Sequence, residues 1–213
     1  MRKWILPLGI IAAALIISAL VYGRMPDQVP IHWNAYGEVD RYASKPVGLF
    51  LMPAIMAGVM LLIKIAPLID PKRDNLKKSM RDIETVNIIT LLVLLVVHSA
   101  TILSSLGVEF NMAVLAPIIA GALFVFLGNL LPRFKHNYFF GIRTPWTLAN
   151  EQVWRRSHLV GGRIMFFGGL VMILSAFLPT AWMLVAFLLV LVITVAAPII
   201  ASYLYFRRYS SNS

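Results

Sequence analysis

The chain has 213 residues and no cysteine, and only 13% of its residues are charged, against roughly 25% in a typical soluble domain. Without cysteine no disulfide can hold a loop in shape. The nine acids all fall in expected loops or at helix ends, which excludes the intramembrane aspartate pair a membrane protease needs. The G-x-S-x-G elbow, the H-E-x-x-H zinc signature and the phosphate-binding P-loop are absent as well. These absences point away from an enzyme and call for no cofactor and no metal.

What the chain has instead is apolar surface: 60% hydrophobic residues and a mean hydropathy of +0.82. A helix needs about 20 mostly apolar residues to cross ~30 Å of hydrocarbon. Six segments meet or nearly meet that length: Trp4–Tyr22, Val47–Pro67, Val86–Leu106, Met112–Leu131, Gly161–Leu178 and Ala181–Phe206. Stretches such as "IIAAALIISAL" and "LLVLLVV" are apolar on every side, whereas a transmembrane β-barrel would alternate. The expected fold class is an all-α membrane protein, a bundle of six transmembrane helices. Arg2-Lys3 before the first run could open a signal peptide. Its apolar core is long for that, and no clear A-x-A site follows, so it is read as a helix.

The net charge of +10 is distributed as an orientation signal rather than as a nucleic-acid surface. With a cytoplasmic N-terminus, the inner side receives Arg2, Lys3, Lys72, Arg73, Lys77, Lys78, Arg81, Arg133, Lys135, Arg143, Arg155, Arg156, Arg163, Arg207 and Arg208. The outer side receives Arg24, Arg41 and Lys45. Both termini are therefore expected in the cytoplasm, with anionic membrane lipids as partners of the basic side and no direct nucleic-acid contact.

The outer loop, residues 23–46, holds "VPIHWNAYGEVDRY" (Val29–Tyr42). Pro26 and Pro30 keep it extended, and "NAYG" reads as a turn with Gly37 at positive φ, so a small extracellular hairpin is expected. His32, Asn34, Glu38 and Asp40 match no standard zinc spacing. They fit a network that stiffens a hairpin lacking disulfides, with Arg41 beside them. The aromatics Trp33, Tyr36 and Tyr42 add a recognition surface.

The first inner loop, "DPKRDNLKKSMRDIE", mixes both charge signs, and Leu76, Met80 and Ile83 fall at helical spacing. It reads as a solvated extension of the third helix. The second inner loop, residues 132–160, offers Thr144-Pro145 as N-cap and first helical residue, then Asn150-Glu151 as a second start. Glu151 and Arg155 are spaced for an i,i+4 pair, and the Arg143 guanidinium for Glu151 or a lipid phosphate. Trp146, Val153 and Trp154 are expected to lie in the headgroup layer, in a surface-lying cytoplasmic helix that feeds the fifth span. Gly161-Gly162 and Gly168-Gly169, two turns apart, form a strip for close helix packing. Within the spans His98 is the ionisable residue to weigh: a functional group, or a neutral imidazole bonded to a neighbouring helix. Lys64, close to its helix end, can snorkel.

Two motifs carry a resemblance. "MPDQVPIHWNAYGEVDRYASK" resembles a domain of unknown function whose members read roughly L-P-x-x-I-P-x-H-[WF]-N-x-x-G-x-x-D. "GNLLPRFKHNYFFGIRTPWTLANEQVWRRSH" resembles the signature half of the SdpI family of bacterial immunity proteins. By position the outer motif is His32, Asn34, Gly37, Asp40 and Arg41. The inner one is Asn129, Pro132, Asn137, Gly141, Arg143, Thr144, Pro145, Trp146, Asn150, Glu151 and Trp154, next to Arg155. The resemblance implies a plasma-membrane protein protecting its producer from a secreted peptide toxin of the SDP killing-factor type. It also implies a signal receptor that holds a cytoplasmic transcriptional repressor at the membrane. The organisation expected is residues 1–67 with the motif loop, 68–112 with the charged loop and third helix, 113–206 as the signature region and 207–213 as a short tail. The alternatives are a small transporter or exporter of peptide or lipid and, with less to support it, a membrane enzyme using His32, Glu38 and Asp40.

Overall fold

A computed structural model describes residues 4–210, so Arg2 and Lys3, read above as inner charges, lie outside the described residues. Six helices are long and apolar enough to cross a membrane: Ile5–Arg24, Lys45–Ile69, Met80–Ser105, Met112–Arg133, Glu151–Ser175 and Thr180–Tyr209. Only 22–33% of each apolar window is buried inside the protein. Most of that surface therefore faces outward, which hydrocarbon favours and water does not. The expected six-span, all-α membrane fold is what the structure has. Two spans begin earlier than their apolar runs, at Met80 and at Glu151.

In chain order the elements are α1 (Ile5–Val21), the hairpin strands β1 (Gln28–Trp33) and β2 (Val39–Ser44), α2 (Lys45–Ile69), α3 (Arg73–Lys78) and α4 (Met80–Ser105). Then come α5 (Met112–Leu130), α6 (Pro145–Ala149), α7 (Glu151–Ser175) and α8 (Thr180–Ser210). They fall into two compact units, residues 1–63 with 87–116 and residues 64–86 with 117–213.

In the first unit, Ile10, Ile11, Ala14, Met56 and Leu91 form one apolar cluster, and Met25, Val29, Leu49 and Ile102 a second. Val29 belongs to β1, so the hairpin is seated on the spanning helices through its own strand. Gly48 makes room for it, because a Cβ there would stand 2.5 Å from Val29 Cβ. Ser18 Oγ lies 2.9 Å from the Ala14 and Leu49 carbonyls and 2.9 Å from His98 Nε2. One hydroxyl proton cannot serve three acceptors. His98 Nε2–H therefore donates to Ser18, and the serine proton goes to a carbonyl. Nδ1, which has no partner among the described residues, keeps a lone pair rather than a stranded N–H.

In the second unit the glycine strip has partners that the sequence reading did not name. Gly162 and Gly169 of α7 face Gly128 and Gly121 of α5. A Cβ would stand 2.6 Å from the Gly128 carbonyl oxygen at the first site and 2.5 Å from that of Gly121 at the second. The spacing of seven recurs on both helices in opposite order, so the two backbones pack antiparallel without side chains between them. Gly168 turns instead to Val190 and Thr194 of α8, and Gly161 to Pro198.

Candidate functional site

Each motif folds around one asparagine. In the hairpin, the Asn34 Oδ1 accepts from the Tyr36 N–H at 2.9 Å and the Glu38 N–H at 3.0 Å. Its Nδ2 donates to Glu38 Oε2 at 2.9 Å. The Gly37 N–H donates to the Asn34 carbonyl at 3.0 Å, and Gly37 has φ +82°. Glycine is needed there because other residues are strained at positive φ. A Cβ at Gly37 would also stand 2.7 Å from the Ala113 nitrogen, so the turn rests on the first residues of α5. Across the strands His32 Nδ1–H donates to Asp40 Oδ1 at 2.6 Å. At the base the Lys45 ammonium lies 3.4 Å from Asp27 and 5.6 Å from the centre of the Tyr22 ring.

His32 with Asp40 and Asn34 with Glu38 thus pair within the hairpin. Tyr36 and Tyr42 remain 68% and 55% exposed, Arg41 is exposed and Trp33 is half-buried. Paired polar groups beside open aromatic rings make a stiff surface suited to contact through ring area rather than through charge.

The second motif is built in the opposite way, inward. Asn137 is fully buried, and its amide uses all four of its bonding positions. Nδ2 donates to the Lys135 and Phe140 carbonyls, while Oδ1 accepts from the Phe139 and Phe140 N–H groups. Asp70, also buried, accepts from the Lys72 N–H at 2.6 Å and the Tyr138 N–H at 2.9 Å. His158 Nδ1–H donates to the Trp154 carbonyl at 2.8 Å, which leaves Nε2 to accept the Ile142 N–H at 3.0 Å. Its ring stacks on Trp154 with centroids 4.0 Å apart. Gly141, at φ +110°, leaves space that a Cβ would take from His158 Nε2. Thr144 caps α6 with Pro145 as first helical residue. Its side chain and that of Thr147 close a reciprocal capping box, and Thr144 Oγ1 lies 3.1 Å from Ser202 Oγ. Asn150 caps α7 by accepting the Gln152 and Val153 N–H groups. His136 Nδ1 accepts from the Lys72 ammonium at 2.8 Å. Burial, and then the Lys72 charge, hold its pKa below the usual histidine value.

Several expectations are corrected. Trp154 and Val153 do not face lipid headgroups: they are 2% and 0% exposed, and the Trp154 indole donates to the Phe134 carbonyl at 2.9 Å. The carbonyl partner outweighs the interfacial preference, because an indole N–H is satisfied equally well inside the fold. Trp146 packs against Tyr203 at 5.2 Å. The surface-lying helix shrinks to the five residues of α6, and the stretch from Glu151 is the first part of a span. Arg143 donates to the Tyr138 carbonyl at 2.9 Å, and among the described residues it pairs with no carboxylate. Glu151 and Arg155 form no ion pair either; both are exposed. The charged loop is not wholly solvated, since Asp70, Leu76, Ser79 and Ile83 are buried. Asn129 is exposed on α5, and Pro132 lies against Gly162. Asp70, His136, Thr147 and His158 were not singled out from the sequence. The "KHN" and "RRSH" ends of the motif were the available signals.

Comparison with known proteins agrees with the resemblance read from the two motifs. Residues 9–57 match a domain of unknown function, DUF1648, and residues 133–202 match the SdpI/YfhL protein family. Over 212 residues the chain is 24% identical to the immunity protein SdpI of Bacillus subtilis (strain 168), covering the full length of both. No solved structure matches. The chain is a multi-pass membrane protein of the bacterial cell membrane.

Proposed function

We propose that this chain is a non-enzymatic immunity protein that shields its producer from a secreted peptide toxin of the killing-factor type. Its hairpin faces outward to meet the toxin, and both termini lie in the cytoplasm. The observation that carries the reading is the hairpin itself. His32 is tied to Asp40 and Asn34 to Glu38, while Tyr36 and Tyr42 stand open beside Trp33. An amphipathic peptide approaching a membrane presents apolar surface that such rings can hold. The orientation follows from the basic residues collected on the other side. The compact network around Asn137 is the part that would report toxin engagement inward, holding a transcriptional repressor at the membrane.

The test is expression of the full chain in a toxin-sensitive strain challenged with purified killing peptide, with peptide or proton flux measured in proteoliposomes alongside. Survival without flux supports immunity. Flux without survival would make the chain a transporter and reject the reading.

A further inference from the structure

We propose that the second unit carries a binding site for one anionic phospholipid, with the phosphate held where α5 ends and α7 begins. A cleft of about 300 Å³ there has Arg133, Lys135, Arg155 and Glu151 on its walls. Three cations face one carboxylate. The Asp82 carboxylate lies 3.6 Å from Arg133 and offsets part of that excess, while Lys135 and Arg155 have no acidic partner within ion-pair distance among the described residues. Buried His136 also lines this cleft. Its Nδ1 lone pair is taken by Lys72, so its Nε2 carries a proton, and that donor has no partner among the described residues.

On the other side of Pro132, which lines both, is a second cavity of about 260 Å³, lined by Gly128, Phe166 and Phe167 and edged by Arg163. Gly128 and Gly162 bring α5 and α7 into contact at its floor, and Phe167, 62% exposed, stands beside it. The two cavities share Pro132; the first lies where one span ends and the next begins, and the second runs from the end of α5 along the middle of α7. A basic polar cleft next to a more apolar groove along a spanning helix matches an anionic headgroup beside an acyl chain. A soluble phosphate would use only the first half. The site does not depend on which leaflet its helix ends face.

The test uses the full chain purified in mild detergent, with native mass spectrometry and thermal unfolding against phosphatidylglycerol and phosphatidylcholine. One variant, Lys135→Gln with Arg155→Gln, removes two charges from the cleft. A second, Arg73→Gln with Lys78→Gln, removes two from exposed positions on α3. Each basic residue near an anionic surface contributes about 1 kcal/mol, so losing two should weaken phosphatidylglycerol binding about thirtyfold. The α3 variant should bind like wild type. Phe167→Ala should weaken lipid retention while leaving the unfolding temperature in phosphatidylcholine unchanged, and millimolar inorganic phosphate should not displace the lipid. Equal losses in the two charge variants would mean diffuse attraction and overturn the site. Displacement by inorganic phosphate would show a headgroup-only anion site and overturn the lipid assignment.

Discussion

Asn34 and Asn137 perform the same local task at different depths. Each side-chain oxygen takes two backbone N–H groups of the turn that follows, and each amide nitrogen donates back to the same loop, Asn34 once and Asn137 twice. Asn34 is only half-buried, on the hairpin, whereas Asn137 has no exposed surface. At Asn34 water can replace a lost bond. At Asn137 it cannot, and every broken bond leaves a buried polar group unsatisfied. The chain therefore pairs a loop that tolerates change with one that does not, although neither has a disulfide.

The contrast can be broken most severely at Gly141. An alanine there meets both positive-φ strain and the His158 imidazole, so Gly141→Ala should cost about 3 kcal/mol or more and leave little folded protein in the membrane. Normal abundance on a membrane-fraction immunoblot would contradict this. Next, Asn137→Ala should lose about 2–3 kcal/mol, whereas Asn34→Ala should lose about 1 kcal/mol or less, measured as thermal unfolding in detergent. Equal losses would erase the distinction between the two loops. Gly37→Ala should fall between them, at about 1–2 kcal/mol, because the hairpin can yield where it touches Ala113.

The smallest effect is on pH. The His136 pKa is lowered on folding, so the unfolded chain binds its proton first. Stability contributed by the neutral imidazole is fully present above pH 6.5 and is lost as pH falls through the folded value. Wild type should therefore lose more stability on acidification below pH 6.5 than His136→Gln, read from unfolding temperatures across that range. Parallel profiles would remove His136 from the account.

Much of this was legible in the sequence. Runs of twenty apolar residues can do little else than span, and the turn "NAYG" and the caps Thr144-Pro145 and Asn150 act locally. What was not legible depends on distant partners. Trp154 resembles an interfacial tryptophan until the Phe134 carbonyl, twenty residues away, is found beside it. Asp70 looks like one more solvated charge until the Tyr138 N–H closes on it from 68 residues on. The glycines of α7 were visible, but their meaning required Gly121 and Gly128 across the interface. The exposed hairpin is legible for the reason it is tolerant: its bonds run between near neighbours.

The central claim is that the hairpin's paired polar groups are scaffold and its open rings are the contact surface. The direct measurement is survival of a sensitive strain under killing peptide, with Tyr36→Ala, Tyr42→Ala and wild-type chains expressed alike and their membrane abundance measured alongside. The account predicts normal abundance and lost protection for both aromatic variants. Full protection by both, at normal abundance, would contradict it and move recognition into the helices.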